Sequence, residues 1–305
     1  MPKVTELMSS NIANTITNAQ TWGGVIYNVK AYGAKGDGVT DDYSALNTLI
    51  NTTINGEEAV IVISDGEYVI GTDITIPSNI TLWFLRGGKL KPSSGVTITI
   101  NGTLEAGIYQ IFTGDGIIAG NIKSEYILPQ WFGAKGDGSN DDKSTIQKAL
   151  EIVNPNGGTV YLPPGTYNIS SSIRIYGNNV SLIGAGQGAT TINNTSTSSD
   201  SIILSDGWLK ESITISDMII TAASPNNGIA INMVNVHGSH INNVLIKNHQ
   251  YGLYFGTSCF DIYCKGLNIL DLAANGSAIT LIGGPSGGGI WVTDSTIDCG
   301  EATGT

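Results

Sequence analysis

The chain has 305 residues, of which 41% are hydrophobic, enough to form a large buried core in one or two domains. Only 13% are charged, 40 are glycine, and the formal net charge is -11. Phosphate binding needs clustered Lys and Arg, and the only arginines are Arg86 and Arg174. The composition therefore excludes a nucleic-acid partner and favours uncharged partners over polyanions.

The first twenty residues contain no apolar run typical of a signal peptide or a membrane span, so we expect neither and no membrane partner. The cysteines, Cys259, Cys264 and Cys299, are an odd number in a long chain. We therefore expect buried, reduced thiols rather than a disulfide framework, which fits folding in a cytoplasm.

One segment occurs twice with the same spacing. GAKGDG stands at 33–38 and again at 133–138, and the polar residues after it recur, as Asp41, Asp42 and Ser44 and then Asp141, Asp142 and Ser144. Each copy precedes apolar residues at helical spacing, Ala45, Leu46, Leu49 and Ile50 in the first and Ile146, Ala149, Leu150 and Val153 in the second. This periodicity predicts a short amphipathic helix after each copy.

Asp42 and Asp142, the second aspartate of each copy, lie where a helix is predicted to begin. A carboxylate there accepts a hydrogen bond from an otherwise unpaired backbone N–H, so we expect helix capping. The alternative is a calcium loop, but Thr48 and Lys148 occupy the twelfth position, where such a loop has a bidentate glutamate. The glycines fit tight turns better than a phosphate-binding loop. We expect no metal and no cofactor.

After each helix the sequence predicts a β-turn–strand passage, at 60–70 and 158–169, with DGEY in the first matching PGTY in the second. GAKGDG-x-x-DD, then a helix, then LPPGTY resembles the entry motif of the pectate-lyase-like superfamily of β-helices. The stretch YILPQWFG at 126–133 is similar to the connector of phage tail spikes, among which the pre-neck appendages of small Bacillus phages are most similar. The resemblance implies a right-handed parallel β-helix.

From residue 180 onward, short apolar stretches alternate with Gly, Asn and Ser turns, the pattern of a solenoid. ISDM at 215–218, INNV at 241–244 and VTDS at 292–295 are 26 and 51 residues apart. One coil is thus about 25 residues long. The inward parity changes at the third residue of each segment, so Asp217, Asn243 and Asp294 are predicted to stack at a bend as structural residues.

The predicted fold class is all-β, a right-handed parallel β-helix with short capping α-helices. Because no closing cap follows the last strand, we expect the N-terminal fragment of a longer chain. Three regions are predicted: an N-terminal virion-attachment segment at 1–26, a small first unit at 27–125, and at 126–305 the helix-capped start of a β-helix that continues beyond 305.

The resemblance implies a phage tail spike or appendage. Such a protein would be a homotrimer in the virion tail, made in the host cytoplasm and joined to other tail or connector proteins through its N-terminal segment. It would bind and degrade a host cell-wall polysaccharide or teichoic acid, with a hydrolase site on the later coils or beyond residue 305. The alternatives are a non-enzymatic adhesin and a secreted polygalacturonase-like or epimerase enzyme.

Tail spikes of this superfamily cut polymers with pairs of Asp or Glu on adjacent coils. Asp298 is predicted to face outward between inward Ile297 and Cys299, and Asp271 lies at a nearby offset on the previous coil. With Glu301, these two residues form the predicted catalytic group. The alternative is that all three are solvated surface carboxylates.

Six aromatic residues cluster on the same coils: Tyr251, Tyr254, Phe255, Phe260, Tyr263 and Trp291. Exposed aromatic faces stack on sugar rings, so we predict that Tyr254, Tyr263 and Trp291 bind substrate, with internal stacking as the alternative. His237 and His240 lie in a segment distantly similar to the histidine motif of polygalacturonases. That family's aspartate signatures are absent at the expected places, so we expect core or surface histidines.

Overall fold

In a computed structural model of the chain, the described residues are 25–204, 207–223, 226–273, 276–282 and 288–297. Their contacts divide the chain into two compact units between Ser124 and Glu125. Both units are built mainly of short parallel strands. Within the ranges just given, no helix has the length and hydropathy needed to span a bilayer.

The first unit contains a 3-10 turn at Val29–Tyr32, helix α1 at Tyr43–Thr48 and a π-helical segment at Leu49–Ile54 that continues α1. Its strands are β1 (Val25–Asn28), β2 (Asp37–Asp41), β3 (Ala59–Ile63), β4 (Gly66–Ile70), β5 (Ile74–Ile76), β6 (Ile80–Phe84), β7 (Gly88–Pro92), β8 (Thr97–Ile100), β9 (Thr103–Glu105) and β10 (Ile117–Ala119). They form three sheets, in the orders β1-β3-β6-β9, β2-β4-β7 and β5-β8-β10.

The second unit contains a 3-10 turn at Pro129–Phe132 and helix α2 at Lys143–Val153. Its strands are β11 (Asp137–Asp141), β12 (Gly158–Leu162), β13 (Gly165–Ile169), β14 (Ile173–Ile175), β15 (Val180–Gly184), β16 (Thr190–Asn194), β17 (Ile202–Leu204), β18 (Lys210–Glu211), β19 (Thr214–Ala222), β20 (Asn226–Met233), β21 (Val236–Lys247), β22 (His249–Phe255), β23 (Phe260–Lys265), β24 (Asn268–Leu270), β25 (Ser277–Leu281), β26 (Ile290–Thr293) and β27 (Thr296–Ile297).

The long strand β21 shows how a coil is built. Its first half pairs in parallel with β23, and its second half, beyond Asn243, pairs in parallel with β24. A further strand, β22, then joins the five-stranded sheet β14-β17-β20-β22-β25. Each coil thus has three sides, and successive coils pair side by side, as the predicted parallel β-helix requires. The predicted fold class is confirmed.

The core is formed by the side chains that point inward at alternate positions of each strand. Ile215, Ile241 and Cys264 stand in register on β19, β21 and β23 and are almost fully buried. Each buried isoleucine contributes about 1.5–3 kcal/mol relative to an exposed one.

Cys259 and Cys264 are free and buried as predicted, and burial raises the pKa of Cys264 to about 12. Cys299 lies outside the described residues.

Both predicted helices form where the repeat places them. In α1 and its π-helical continuation, Leu46, Leu49 and Ile50 are buried. In α2 the whole predicted apolar stripe is buried, comprising Ile146, Ala149, Leu150 and Val153. The helical periodicity therefore identified the faces that pack on the first coil of each unit.

The predicted role of Asp42 and Asp142 as helix caps is wrong. Neither carboxylate caps its helix. The Asp142 carboxylate instead accepts hydrogen bonds from the backbone N–H groups of Lys135 (2.7 Å) and Gly136 (2.9 Å), and Asp42 does the same for the first copy. The second aspartate of each copy therefore folds the GAKGDG loop back onto the start of the helix. Sequence reasoning missed this because the bonded groups lie six and seven residues upstream.

The first aspartate of each pair takes the capping role instead. Asp141 accepts hydrogen bonds from the N–H of Lys143 (3.0 Å), the N–H of Ser170 (3.2 Å) and the hydroxyl of Ser170 (2.6 Å). Burial opposes ionisation there, but these bonds outweigh it and lower the pKa of Asp141. Asp37 accepts two backbone N–H bonds within its own loop, chiefly from Thr40, which lower its pKa to about 2. The repeated carboxylates thus hold the loop by hydrogen bonds.

The predicted stack at the bend is confirmed. Asp217, Asn243 and Asp294 all adopt left-handed backbone conformations, with φ of 60°, 52° and 51°, and Gly266 has φ of 63° on the intervening coil. The amide of Asn243 donates to the Asp217 carboxylate at 2.8 Å. Asn, Asp and Gly tolerate this conformation best, which accounts for their recurrence.

Replacing Asn243 with Ala is expected to lower the free energy of unfolding by about 1–2 kcal/mol, because alanine is strained at φ of 52° and cannot bond to Asp217. Asn243→Gly is the matched control, since it loses the same bond without a Cβ in the left-handed region. Urea unfolding measures both. Equal destabilisation by the two substitutions would show that backbone conformation does not select the residue at this corner.

Candidate functional site

Three rings stack on the outward side of the long sheet. His240 on β21, Tyr263 on β23 and Trp291 on β26 occupy neighbouring register positions. The His240 and Tyr263 centroids are 5.3 Å apart at 19°, and those of Tyr263 and Trp291 are 4.6 Å apart at 7°. We call these three residues the ring ladder. The outward side of β12, β15 and β26, of β19 up to Asp217, of β21 between Gly238 and Asn243 and of β23 after Asp261 is the front face.

The ladder follows from strand geometry. Side chains alternate along a strand, so the inward position of Cys264 leaves Tyr263 and Lys265 pointing outward. Parallel strands lie about 4.8 Å apart, close to the spacing at which aromatic rings stack. A sequence with one ring per coil at the same register position therefore forms a continuous stack.

The stacking decides which part of the Tyr263 ring is exposed. Tyr263 lies between His240 and Trp291, so both faces of its ring are covered. Tyr263 is nevertheless 41% exposed and Trp291 43% exposed. The exposed part of Tyr263 is therefore its edge, which carries the phenol hydroxyl, a hydrogen-bonding group.

A carboxylate and an imidazole lie across a further bend from the ladder, where Ser212, Gly238 and Asp261 have left-handed backbones with φ of 57°, 56° and 56°. Glu211 Oε2 is 3.1 Å from His237 Nε2, with the Glu211 side chain 50% exposed and that of His237 24% exposed. The His237 ring stacks on Phe260 with centroids 4.9 Å apart and planes 4° from parallel. Of the two places expected for these histidines, core or surface, the structure shows the surface for His240, which is exposed, and a partly exposed position for His237.

Lys265 and Asp294 border the ladder at the corner. Their charged groups are 3.9 Å apart and both side chains are more than two-thirds exposed, so water screens the pair strongly. Asp294 keeps its predicted place in the corner stack. The front face thus combines ring edges with separated charges of both signs.

Tyr254 does not lie with Tyr263 and Trp291. It is on β22 of the five-stranded sheet, paired with Asn232 of β20 and Thr280 of β25. The three aromatic residues predicted to bind substrate are therefore divided between two sides of the coil. Proximity in sequence suggested one cluster, but the chain turns a corner between β22 and β23.

Asp271 lies at a corner rather than on the front face. It follows β24, has φ of 51°, and its backbone carbonyl accepts a hydrogen bond from the N–H of Asn248 on the previous coil at 3.0 Å. Asn248 has the same left-handed conformation, which makes the two a stacked corner pair. The other predicted catalytic residues, Asp298 and Glu301, lie outside the described residues, so the catalytic group stays a prediction.

A serine–histidine pair lies inside the coil, and sequence reasoning missed it. Ser201 Oγ is 2.7 Å from His249 Nε2, His249 Nδ1 donates to the Lys247 carbonyl at 2.7 Å, and Asn194 Nδ2 donates to Ser201 Oγ at 3.1 Å. Asn194, Ser201 and His249 are all fully buried. Burial lowers the pKa of His249. The arrangement is a satisfied core network without access to a substrate.

The described part of the chain contains no group of three or more His, Cys, Asp or Glu side chains placed to hold a metal ion. The GAKGDG aspartates, which the sequence offered as a calcium loop, bind backbone N–H groups instead.

A family model described as rhamnogalacturonase A/epimerase, pectate lyase-like matches residues 26–83 and 130–213. The two matched regions contain the two GAKGDG copies and the strands that follow them. The repeat is thus the part of the sequence that carries the family signal.

Individual relatives match over limited lengths. Alginate lyase 7 of Azotobacter vinelandii is 42% identical over 84 residues, 25% of this chain and 9% of that protein. The capsule K3-specific depolymerase 1 of Klebsiella phage KP32 is 24% identical over 237 residues, 72% of this chain and 22% of that protein. A solved structure titled Geobacillus virus E2 ORF18 matches 94% of this chain and 66% of its own with 14% identity and a TM-score of 0.47. The chain therefore spans less than a quarter of these two curated relatives.

Proposed function

We propose that this chain, which has the β-helix fold and matches a pectate-lyase-like family model at both GAKGDG copies, is part of a phage tail spike that binds a host cell-surface polysaccharide on its front face. The observation that carries the proposal is the exposed ring ladder of His240, Tyr263 and Trp291 across three successive coils. A polymer that repeats along its length is matched by a site that repeats along the helix axis.

The superfamily resemblance predicted from the two GAKGDG copies is confirmed by the family match at both copies. The Klebsiella phage depolymerase aligns with 72% of the chain, which supports a polysaccharide-binding or polysaccharide-degrading tail protein. The net charge of -11 and the few arginines support a sugar rather than a nucleic acid as partner. The small Bacillus phage type and a teichoic acid ligand are finer parts of the proposal.

Within this proposal the polymer is hydrolysed after it binds. Asp271, Asp298 and Glu301 stay the predicted catalytic group, and further coils are a second place for it. The spike is a homotrimer attached to other tail or connector proteins through residues 1–26. These statements rest on the resemblance to tail spikes and on fold-level analogy.

The binding proposal is tested by retention on purified cell walls or capsule of a panel of candidate host bacteria. Replacing both Tyr263 and Trp291 with Ala is expected to weaken retention about tenfold or more, since the variant loses both ring edges and the order that stacking imposes on the site. Tyr32→Ala is the matched control, because Tyr32 is a similarly exposed aromatic residue in the first unit. Equal retention of all three proteins, or no retention of the unaltered protein on any surface, would contradict the proposal.

Cleavage is tested separately by the release of new reducing ends from the retained polymer. Asp271→Asn and Asp298→Asn are each expected to lower the rate by orders of magnitude if these carboxylates act as acid and base. Unchanged cleavage by both variants would overturn the catalytic assignment. Binding without any release of reducing ends would instead identify the protein as a non-enzymatic adhesin.

A uronan lyase or epimerase is the second candidate, favoured by the description of the matched family and by the alginate relatives. A lyase leaves an unsaturated sugar that absorbs ultraviolet light, whereas a hydrolase does not. Appearance of that absorbance with alginate or pectin would favour this candidate over the hydrolase.

A further inference from the structure

A row of polar side chains crosses the outward side of the five-stranded sheet. Asn232 of β20, Tyr254 of β22 and Thr280 of β25 occupy one register position on three successive coils. Met233 and Phe255, which follow the first two, are buried in the core, so alternation along the strands turns the three residues outward. We call Asn232, Tyr254 and Thr280 the polar row.

Two oxygen atoms of the polar row are buried and lack a hydrogen-bond partner within the part of the chain that the structure describes. They are Asn232 Oδ1 and Thr280 Oγ1. Such atoms lower the stability of a fold, because they have given up water and gained no bond in return. Their position on the strands either side of one tyrosine points to a ligand as the missing partner.

Asp200 fixes the direction of the Asn232 amide. Asn232 Nδ2 donates to Asp200 Oδ2 at 2.8 Å, and Asp200 Oδ1 accepts the Ile229 N–H at 2.9 Å. Asp200 lies just before β17, which pairs with β20 on the side away from β22. The amide nitrogen therefore points toward β17 and the amide oxygen toward Tyr254, where only a hydrogen-bond donor can pair with it.

The Tyr254 ring lies along the sheet. A Cβ added to Gly256, two positions further along the chain, would be 3.4 Å from Tyr254 Cε1, so the ring leans over that glycine. Tyr254 is partly exposed. The ring is thus the part of this surface that can move, and a change of its rotamer exposes the sheet beside Asn232 and Thr280.

We propose that the polar row is a second saccharide-binding site, on a different side of the coil from the ring ladder, and this inference rests on the proposed function. Sugar hydroxyl groups donate to Asn232 Oδ1 and bond to Thr280 Oγ1, while the Tyr254 ring packs against the C–H face of the sugar. Neighbouring strands lie about 4.8 Å apart, so a short oligosaccharide along the helix axis reaches both oxygens. A polymer held on two sides of the coil is released more slowly.

The probes are short oligosaccharides released by mild acid from the cell wall or capsule that retains the protein. Isothermal titration calorimetry with the full chain is expected to show two sites per chain. Thr280→Val is expected to weaken one site about fivefold, because one hydrogen bond is lost, and Tyr254→Leu about tenfold. Thr191→Val is the matched control and is expected to weaken neither, since Thr191 precedes the buried Ile192 on β16 and so faces outward away from both sites.

Urea unfolding separates a binding role of Thr280 from a structural one. Its hydroxyl has no partner in the folded chain, so Thr280→Val is expected to leave the unfolding midpoint unchanged or to raise it. A lower midpoint would show that the hydroxyl stabilises the fold through a bound water, and it would overturn the assignment.

The two saccharide sites can fail separately. One remaining site in the Tyr263 and Trp291 double variant, weakened when Tyr254→Leu is added, is the expected result. A single site in the unaltered protein, lost in that double variant and unchanged in Thr280→Val and Tyr254→Leu, would overturn the polar row and leave the proposed function standing. Failure of the released oligosaccharides to bind would also overturn the polar row, and absence of retention on every cell surface would overturn both. Circular dichroism of each variant checks that the fold is retained.

Discussion

Asp142→Ala is expected to lower the free energy of unfolding by about 2–4 kcal/mol, because the backbone N–H groups of Lys135 and Gly136 lose their shared acceptor. Asp142 is 1% exposed, so water cannot readily replace the carboxylate. Burial raises the pKa of Asp142 because the buried carboxylate has lost its hydration. Replacing it with alanine removes this desolvation cost, which offsets part of the loss in stability. The loss remains large because the alanine leaves two donors and a cavity in the loop that covers the first coil.

Two further substitutions make this result specific. Asp142→Asn retains one acceptor oxygen but points an amide donor at the second N–H, so an intermediate loss is expected. Asp137→Ala is the matched control, because Asp137 is exposed and its bonds to Ser139 and Asn140 lie within its own turn. Urea unfolding measures all three. An Asp137→Ala loss as large as that of Asp142→Ala would contradict the idea that burial sets the effect.

The fold could be predicted from local signals that repeat. The helical spacing of Ile146, Ala149, Leu150 and Val153 identified the buried side of α2, and the recurrence of Asp217 and Asn243 located a corner. Both signals lie within one turn or one coil of the chain. The direction of the Asp142 side chain was not predicted, because helix capping and loop closure both require an acceptor at that position and only the folded loop decides between them.

The candidate site was predicted less completely than the fold. Tyr263 and Trp291 were identified from their residue type, but the stacking that covers the faces of Tyr263 depends on register between coils. Tyr254 was grouped with them because sequence distance does not show where a coil turns.

The buried network of His249 predicts that the protein loses stability in mild acid. His249 Nδ1 donates to the Lys247 carbonyl, so Nε2 of the neutral ring accepts a hydrogen bond from the Ser201 hydroxyl. Protonation would add a second N–H that faces Ser201 Oγ, which already accepts from Asn194. The Ser201 hydroxyl would then have to turn away inside a fully buried site.

The sign of the effect follows from the lowered pKa of His249. Burial disfavours the charged ring in the folded state, and it outweighs the opposing effects of the hydrogen bond to the Lys247 carbonyl and of the Asp200 carboxylate. The unfolded chain therefore binds the proton more readily. The contribution of neutral His249 to the free energy of unfolding is complete above pH 6.5, the ordinary pKa of histidine. This contribution decreases as the pH falls below 6.5, until the pKa of the folded state is reached.

His249→Leu tests this assignment by removing the titrating ring. It is expected to lower the free energy of unfolding at pH 8 by about 2–4 kcal/mol, because Ser201 and the Lys247 carbonyl lose their buried partner. It should also flatten the decline in stability between pH 7 and pH 5 that is expected of the unaltered protein in urea unfolding. A variant with both surface histidines His237 and His240 changed to Gln should retain that decline. The core assignment is expected to hold because only the buried ring loses a hydrogen-bond acceptor when it takes up a proton. If the decline instead disappears in the surface variant and persists in His249→Leu, the acid sensitivity belongs to the surface histidines and not to the core.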